Sequence, residues 1–380
     1  MLAVGANQLL SWGTTFYLPA VIAGPAAASL SASRVAVVGG FSWSLLVAGA
    51  CAPRVGRWID RHGGRETLAA STIVLAAGLA LLAASRGLPL WYAGWTVLGA
   101  GMAMGLYDAA FATVGCLLGR AAGPVITGIT LMAGFASSVG WTAGAAVAGP
   151  LGWRGLLLLY AGLQLALNLP LVLAAVPGGV VPPAEEPAAA APPATVGRVR
   201  RRALACLSGF FTVRWLITSM ISVYVLRLFQ GVGLSLREAV LVAALIGPGQ
   251  VAGRVLEWSC GERLGLLASA RMGALLFPAG AALLLIGGPY AAAAFAILYG
   301  MSNGILTINR GTLPMAIFGP EGYAALLGWL AVPVLLAQAV APTATAPLVT
   351  ALPALHVLLL AGGAAAVAAL LLLPLRISRS

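Results

Sequence analysis

The chain contains no lysine: all 21 of its basic residues are arginine, set against nine acids, and charged side chains make up only 8% of 380 residues. A soluble fold needs a charged coat. With 61% apolar residues and a mean hydropathy of +1.00, this chain cannot hide its hydrophobic surface from water. The lack of lysine also removes the glycine-rich phosphate loop that ends in Lys, and with it ATP-driven work by this chain alone. Cys51, Cys116, Cys206 and Cys260 stand apart and read as small apolar packers, while His62 and His356 have no ligand spacing. No metal and no cofactor are expected. A serine with a base, or clustered His and Asp at membrane depth, is also missing, so enzyme chemistry is not expected.

What the chain has in abundance is apolar runs of about 20 residues, each able to cross about 30 Å of hydrocarbon. A membrane barrel would alternate apolar and polar residues, and these runs do not; the spans are helices. They read as 2–28, 35–54, 67–85, 89–118, 124–149, 155–176, 203–229, 238–260, 267–287, 289–318, 322–347 and 351–375. The first carries Asn7, Gln8, Trp12 and Tyr17 and no basic flank, so it is read as a retained span and not a cleaved leader. With a cytoplasmic N-terminus, thirteen arginines fall inside, among them Arg54, Arg57, Arg61, Arg65, Arg120, Arg200, Arg263 and Arg271. Only Arg34, Arg86, Arg154 and Arg237 fall outside, which puts both termini and the central loop in the cytoplasm. The net charge of +12 is therefore topology, and no nucleic-acid partner is expected. Lysine-free, Ala- and Arg-rich usage fits a GC-rich bacterial genome, so the expected location is a bacterial inner membrane, with the lipid bilayer as surroundings.

Residues 177–202, rich in Pro and Ala and ending in an arginine run, have a linker's composition. They separate an N-terminal six-helix bundle, 1–176, from a C-terminal one, 203–380. The two halves repeat each other. Asp60-Arg61-His62-Gly63 answers Glu262-Arg263-Leu264-Gly265, and Gly101 to Leu106 answers Gly300 to Ile305. Trp12 and Trp215 correspond in the first spans of the halves, and Leu30-Ser31 corresponds to Leu234-Ser235.

The segment Gly56 to Arg65, GRWIDRHGGR, places a charge cluster between two apolar runs and reads as a tight cytoplasmic loop. Its pattern resembles the signature loop between helices 2 and 3 of the major facilitator superfamily. The resemblance implies twelve transmembrane helices in two pseudo-symmetric six-helix bundles, an all-α polytopic fold working by alternating access. In that setting Gly56, Asp60, Arg61, Gly63 and Arg65, with Glu262, Arg263 and Glu321, are gating candidates. A carboxylate at Asp60 can cap a helix N-terminus, and the flanking arginines can pair with acids such as Glu321. A solvated loop that only follows the positive-inside tendency is the alternative.

Charges within the spans cannot be topology. Asp108, Arg214, Arg254, Glu257 and Arg310 would each cost about 2.5–3.5 kcal/mol or more facing lipid at mid-depth, so each needs a partner or a cavity. Asp108 and Arg310 occupy nearly corresponding places in the repeats. They read either as an anion site and a titrating acid in a shared central chamber, or as a structural buried ion pair. Tyr107 and Asn303 are close by in sequence. Arg214 has no acid at helical spacing in its own span, which points to an anion or to a partner from another helix and favours anionic substrates. Arg254 and Glu257, three residues apart, can also satisfy each other locally.

The stretch Gly249-Gln250-Val251-Ala252-Gly253-Arg254 is similar to span 8 of monocarboxylate-transporter-like facilitators, with Gln250 where that family carries an Asp. Arg254 then keeps an anion-binding role, while proton coupling passes to Asp108 or disappears. Trp12, Tyr17, Tyr224 and Trp141 could line a greasy pocket, as in a proton-driven drug or metabolite exporter, or could be plain packing. The expectation is a monomeric secondary transporter of a small organic anion, probed at Arg310, Arg214, Arg254, Gln250, Asn303, Tyr107, Tyr17 and Trp12, with protons as co-substrate. A transporter-like membrane sensor is the reading of another class.

Overall fold

A computed structural model describes residues 1–178 and 194–377, within which the side chains of residues 194–199 and of Glu262 are left undescribed. The described residues form sixteen α-helices: α1 (Leu2–Thr14), α2 (Pro19–Ser29), α3 (Arg34–His62), α4 (Arg65–Ala84), α5 (Leu88–Gly105), α6 (Tyr107–Leu118), α7 (Ala122–Ala133), α8 (Ala136–Leu163), α9 (Leu169–Ala175), α10 (Ala194–Gly231), α11 (Leu236–Ala244), α12 (Ile246–Leu264), α13 (Leu266–Gly287), α14 (Ala292–Phe318), α15 (Tyr323–Ala351) and α16 (Ala354–Leu370).

Length turns these into twelve spans. Seven stretches are long and apolar enough to cross a membrane, but one, Leu88–Ala175, holds 88 residues and another, Leu266–Phe318, holds 53. At 1.5 Å per residue the first would reach about 130 Å, so it must double back. It contains three spans (α5 with α6, α7 with the first part of α8, and the rest of α8 with α9), and the second contains two. Adding the broken first span, α1 with α2, and the shorter apolar α16 completes the twelve. Large apolar side chains stay exposed along them, such as Val35, Leu158, Ile286 and Trp329, a surface suited to hydrocarbon.

The breaks have local causes. Pro248 cannot donate to the carbonyl of Ala244 and its ring crowds that carbonyl, so α11 ends at Ala244 and α12 starts at Ile246. Gly152, with φ of 68°, turns the chain inside α8 between the fifth and sixth spans. A π-helical turn, Gln164–Asn168, lies just before Pro170, which lacks the N–H that would continue the ordinary ladder. Helix α2 continues through Pro25, and α14 through Gly311 and Pro314.

The charge segment differs from the expected loop. Helix α3 continues through Arg57, Asp60 and Arg61 to His62, and only Gly63 and Gly64 form the turn. Gly63 adopts φ of 85° and donates to the Ile59 carbonyl, closing the helix. Helix α10 likewise begins at Ala194, inside the stretch read as linker; residues 179–193 of that stretch lie outside the described residues.

Two compact units emerge, Met1–Pro182 with Pro320–Ala339, and Pro183–Gly319 with Val340–Ser380. The first has a core of Trp91, Trp95, Leu79 and Leu98; the second is built on Phe229, Phe277, Phe295 and Tyr299. In each, an arginine near the start of the third span holds the end of the sixth. Arg65 donates to the Leu173 carbonyl, and Arg271 donates to those of Leu372 and Leu373 at 3.0 and 3.2 Å. Such C-terminal carbonyls have no partner in their own helix, so a cation satisfies them. Arg154 does the same at the other end of α4, donating to Ala83 and Ser85.

Glycines set the tightest contacts. In the second unit α12 and α14 touch backbone to backbone. A Cβ on Gly253 would lie 2.4 Å from the Met301 carbonyl oxygen, and one on Gly304 2.2 Å from that of Gln250. Gly253→Val and Gly304→Val should each lower stability by about 1–3 kcal/mol, the usual range for overpacking. Thermal unfolding in detergent checks this; a melting temperature unchanged in both would contradict the close packing.

Candidate functional site

In the first unit, the seam between α3 and the first half of α15 is lined by small residues. A Cβ on Gly56 would lie 2.2 Å from the Ala324 carbonyl oxygen, and one on Gly328 2.4 Å from that of Ala52. Gly49 meets Val332 and Leu335 further along, so the two helices run antiparallel. Asp60 closes the seam. Its Oδ1 accepts the Ala324 backbone N–H at 3.0 Å and its Oδ2 that of Ala325 at 2.8 Å. These are first-turn donors of α15 with no partner in their own helix, at its positive end. The Cys116 thiol donates weakly to Oδ1 from α6, at 3.8 Å.

The other gating candidates are spread out. Arg61 and Arg263 are exposed, and Glu321 is exposed and pairs with no arginine among the described residues. Arg65 serves the sixth span, as above, and the Glu262 side chain lies outside the described residues.

Asp108 lies in the first turn of α6, just past a break in mid-span. Leu106 is extended there, with φ of −89° and ψ of −170°, so α6 starts afresh at Tyr107 with Asp108 in its first turn. The carboxylate is near enough to the buried Tyr323 phenol to act on it electrostatically. The break frees the Gly105 carbonyl, which accepts from the Gln8 amide at 2.7 Å. Gln8 also accepts the Trp12 indole N–H at 3.2 Å, and the Trp12 ring lies 4.7 Å from that of Tyr107, itself stacked on Phe111. Tyr17 adjoins the same group, 6.1 Å from Trp12 and 5.5 Å from Trp141. Three of the residues named from the sequence, Trp12, Tyr17 and Tyr107, thus gather in one aromatic group, and Tyr107 precedes Asp108 in the chain.

Sequence reasoning passed over what lies beneath them. Asn7, Gln8, Ser11, Gln164 and Asn168 are fully buried and bonded to one another. Asn7 donates to Asn168 at 3.0 Å, Asn168 to Gln164 at 2.7 Å and to Ser11 at 3.1 Å, and Gln164 to Thr14 at 2.8 Å. The amides of the π-helical turn are therefore tied through α1 to the break before Asp108. The available signal was two amides four residues apart, Gln164 and Asn168, in a span that is otherwise apolar.

In the second unit Arg214 lies on α10, 1% exposed. Its guanidinium donates to Asn303 Oδ1 at 2.8 Å, Ser302 Oγ at 3.1 Å and Thr218 Oγ1 at 3.5 Å, and its Nε has no partner. Phe277 and Tyr299 present their rings at 5.1 and 5.5 Å. Among the described residues no carboxylate pairs with it. Arg310, on α14, stacks over Trp215 at 5.1 Å. Arg254 is also buried, with Nε and Nη1 unbonded; no pair with Glu257 forms, and Glu257 accepts from Ser269 on α13. Gln250 contributes its backbone to the contact with Gly304, and its side chain bonds to none of the described residues. No three His, Cys, Asp or Glu residues among those described gather as metal ligands.

Solved structures align with this architecture over nearly its whole length. The human organic anion transporter MFSD10 (TETRAN) superposes with a TM-score of 0.75 at 17% identity, covering 98% of both chains. The E. coli fucose:proton symporter FucP gives 0.74 at 13% identity, covering 100% of this chain and 98% of that one. The proton:xylose symporter XylE, a member of the major facilitator superfamily, gives 0.69 at 13%, covering 97% and 94%. The chain has the major facilitator fold. No family model matches it, and no curated protein sequence does.

Two outcomes follow for the first unit. Asp60→Asn exchanges a charged acceptor pair for one oxygen, so amide exchange at Ala324 and Ala325 should speed up about tenfold or more, the loss of a charge-assisted bond being about 1.5–3 kcal/mol. Gln8→Leu strands the Gly105 carbonyl and should lower stability by about 1–3 kcal/mol, read from thermal unfolding.

Proposed function

We propose that the protein is a secondary active transporter that moves a small organic anion, monocarboxylate-like, by alternating access with protons as co-substrate. The observation that carries this reading is Arg214. A buried guanidinium cradled only by neutral oxygens and aromatic faces, with Nε unbonded, has an uncompensated charge. An anion is the ligand that would compensate it, and Ser302, Asn303 and Thr218 can orient that anion. Arg310 and Arg254 are further anion contacts in this reading, with Gln250 beside them. That MFSD10 is an organic anion transporter supports the same class.

Asp108 is the proton carrier. It lies in the first turn of a half-helix, next in sequence to Tyr107, whose ring meets that of Trp12, which in turn adjoins Tyr17. That FucP and XylE are proton symporters supports coupling of this kind. Asp60, with Gly56, Gly63 and the arginines around them, is the gate. The protein acts as a monomer in a bacterial inner membrane, both termini cytoplasmic, with halves 1–176 and 203–380 joined by 177–202. The aromatic group around Trp12, whose ring lies 4.6 Å from that of Phe16, favours a second reading as an exporter of lipophilic compounds.

Arg214→Gln should abolish the thermal shift that a carboxylate panel gives the purified protein, and Arg214→Lys should keep part of it. A panel that stabilises only with lipophilic cations would favour the second reading. In vesicles, Asp108→Asn should remove the pH dependence of uptake while leaving exchange of bound solute, and unchanged coupling would remove the proton role.

A further inference from the structure

The last turns of α3 have two faces. The inner one carries Gly56 and Asp60 to α15. The outer one carries Arg54, Arg57, Trp58, Arg61 and His62, all exposed, at positions i, i+3, i+4, i+7 and i+8, which is one continuous stripe of a helix. Trp58 is 52% exposed and its ring stacks on His62 at 4.0 Å, and no acid lies in the stripe. Three guanidiniums around an exposed indole at the end of a membrane helix combine an anion-binding surface with a ring suited to the headgroup layer. The stripe spans about 12 Å along the helix axis from Arg54 to His62. Arg54 reaches back only to the Ala50 carbonyl, at 3.4 Å, and leaves its other donors outward. Simple neutralisation of the helix C-terminus needs only a cation in the last turn. Arg54 and Arg57 lie above that turn.

We propose that this stripe is a binding site for anionic phospholipid headgroups, the phosphate held by Arg54, Arg57 and Arg61 and the acyl shoulder resting on Trp58. The site lies on the same two turns that hold the Asp60 clasp, so bound lipid steadies the clasped state.

The test uses the full chain in nanodiscs of phosphatidylcholine mixed with spin-labelled phosphatidylglycerol, the immobilised fraction reporting association. Arg54→Gln with Arg57→Gln should weaken phosphatidylglycerol association about tenfold or more and leave phosphatidylcholine unchanged. The control, Arg227→Gln with Arg237→Gln, removes the same charge from exposed positions elsewhere. Equal losses in both variants, or a preference that survives the first, would overturn the site. Trp58→Ala, which keeps every charge, should lower association less than the double variant; a larger loss would mean an aromatic contact and no anion site. Inorganic phosphate added at equal concentration should not displace the lipid, and full displacement would identify a free-anion site instead.

Discussion

Two backbone N–H groups donating to one carboxylate hold the end of the first unit together. Asp60 satisfies the Ala324 and Ala325 amides at the start of α15, where no helical partner exists. Everything along that seam is arranged so that the carboxylate can reach them. Gly56, Ala52 and Gly328 remove side chains that would hold the backbones apart, and Gly63 ends α3 just beyond the acid. Lipid exerts no hydrophobic pull between helices, so close contact and polar bonds of this kind must supply the attraction.

The same economy explains the two regions that carry charge within the spans. In the first unit a broken span presents Asp108 at a fresh helix start, and a buried chain of amides from Asn168 to Gln8 fixes where that start lies. In the second unit the charge is of the other sign and the cradle is neutral: Arg214 is surrounded by hydroxyl and amide oxygens and two rings. A satisfied amide network costs little in hydrocarbon, whereas an uncompensated guanidinium is expensive there unless a ligand shares the site.

How much of this is legible in the sequence depends on the range of the interaction. Span positions follow from apolar length, and Arg214, Asp108 and Asp60 are visible because charge is rare. Hydropathy marks the edge of the hydrocarbon and not the end of a helix, so α3 runs on through Arg57 and Asp60, residues a helix tolerates. The break at Leu106 has no proline to announce it. Ser302 and Thr218 look like ordinary hydroxyls in a helix until the fold brings them to Arg214. Ala324 and Ala325 carry no signal at all, since what Asp60 recognises is their main chain.

The arginine latches share that property. Arg65 on Leu173, and Arg271 on Leu372 and Leu373, grip carbonyl oxygens that every amino acid provides. A lock whose keyhole is the peptide bond is blind to mutation on one side. Each half therefore needs only a single long cation to keep that latch, and the side chains of Leu173, Leu372 and Leu373 are free to drift as far as the latch is concerned. Duplicated bundles can in this way diverge until their common origin survives in a few matched residues while their shape endures.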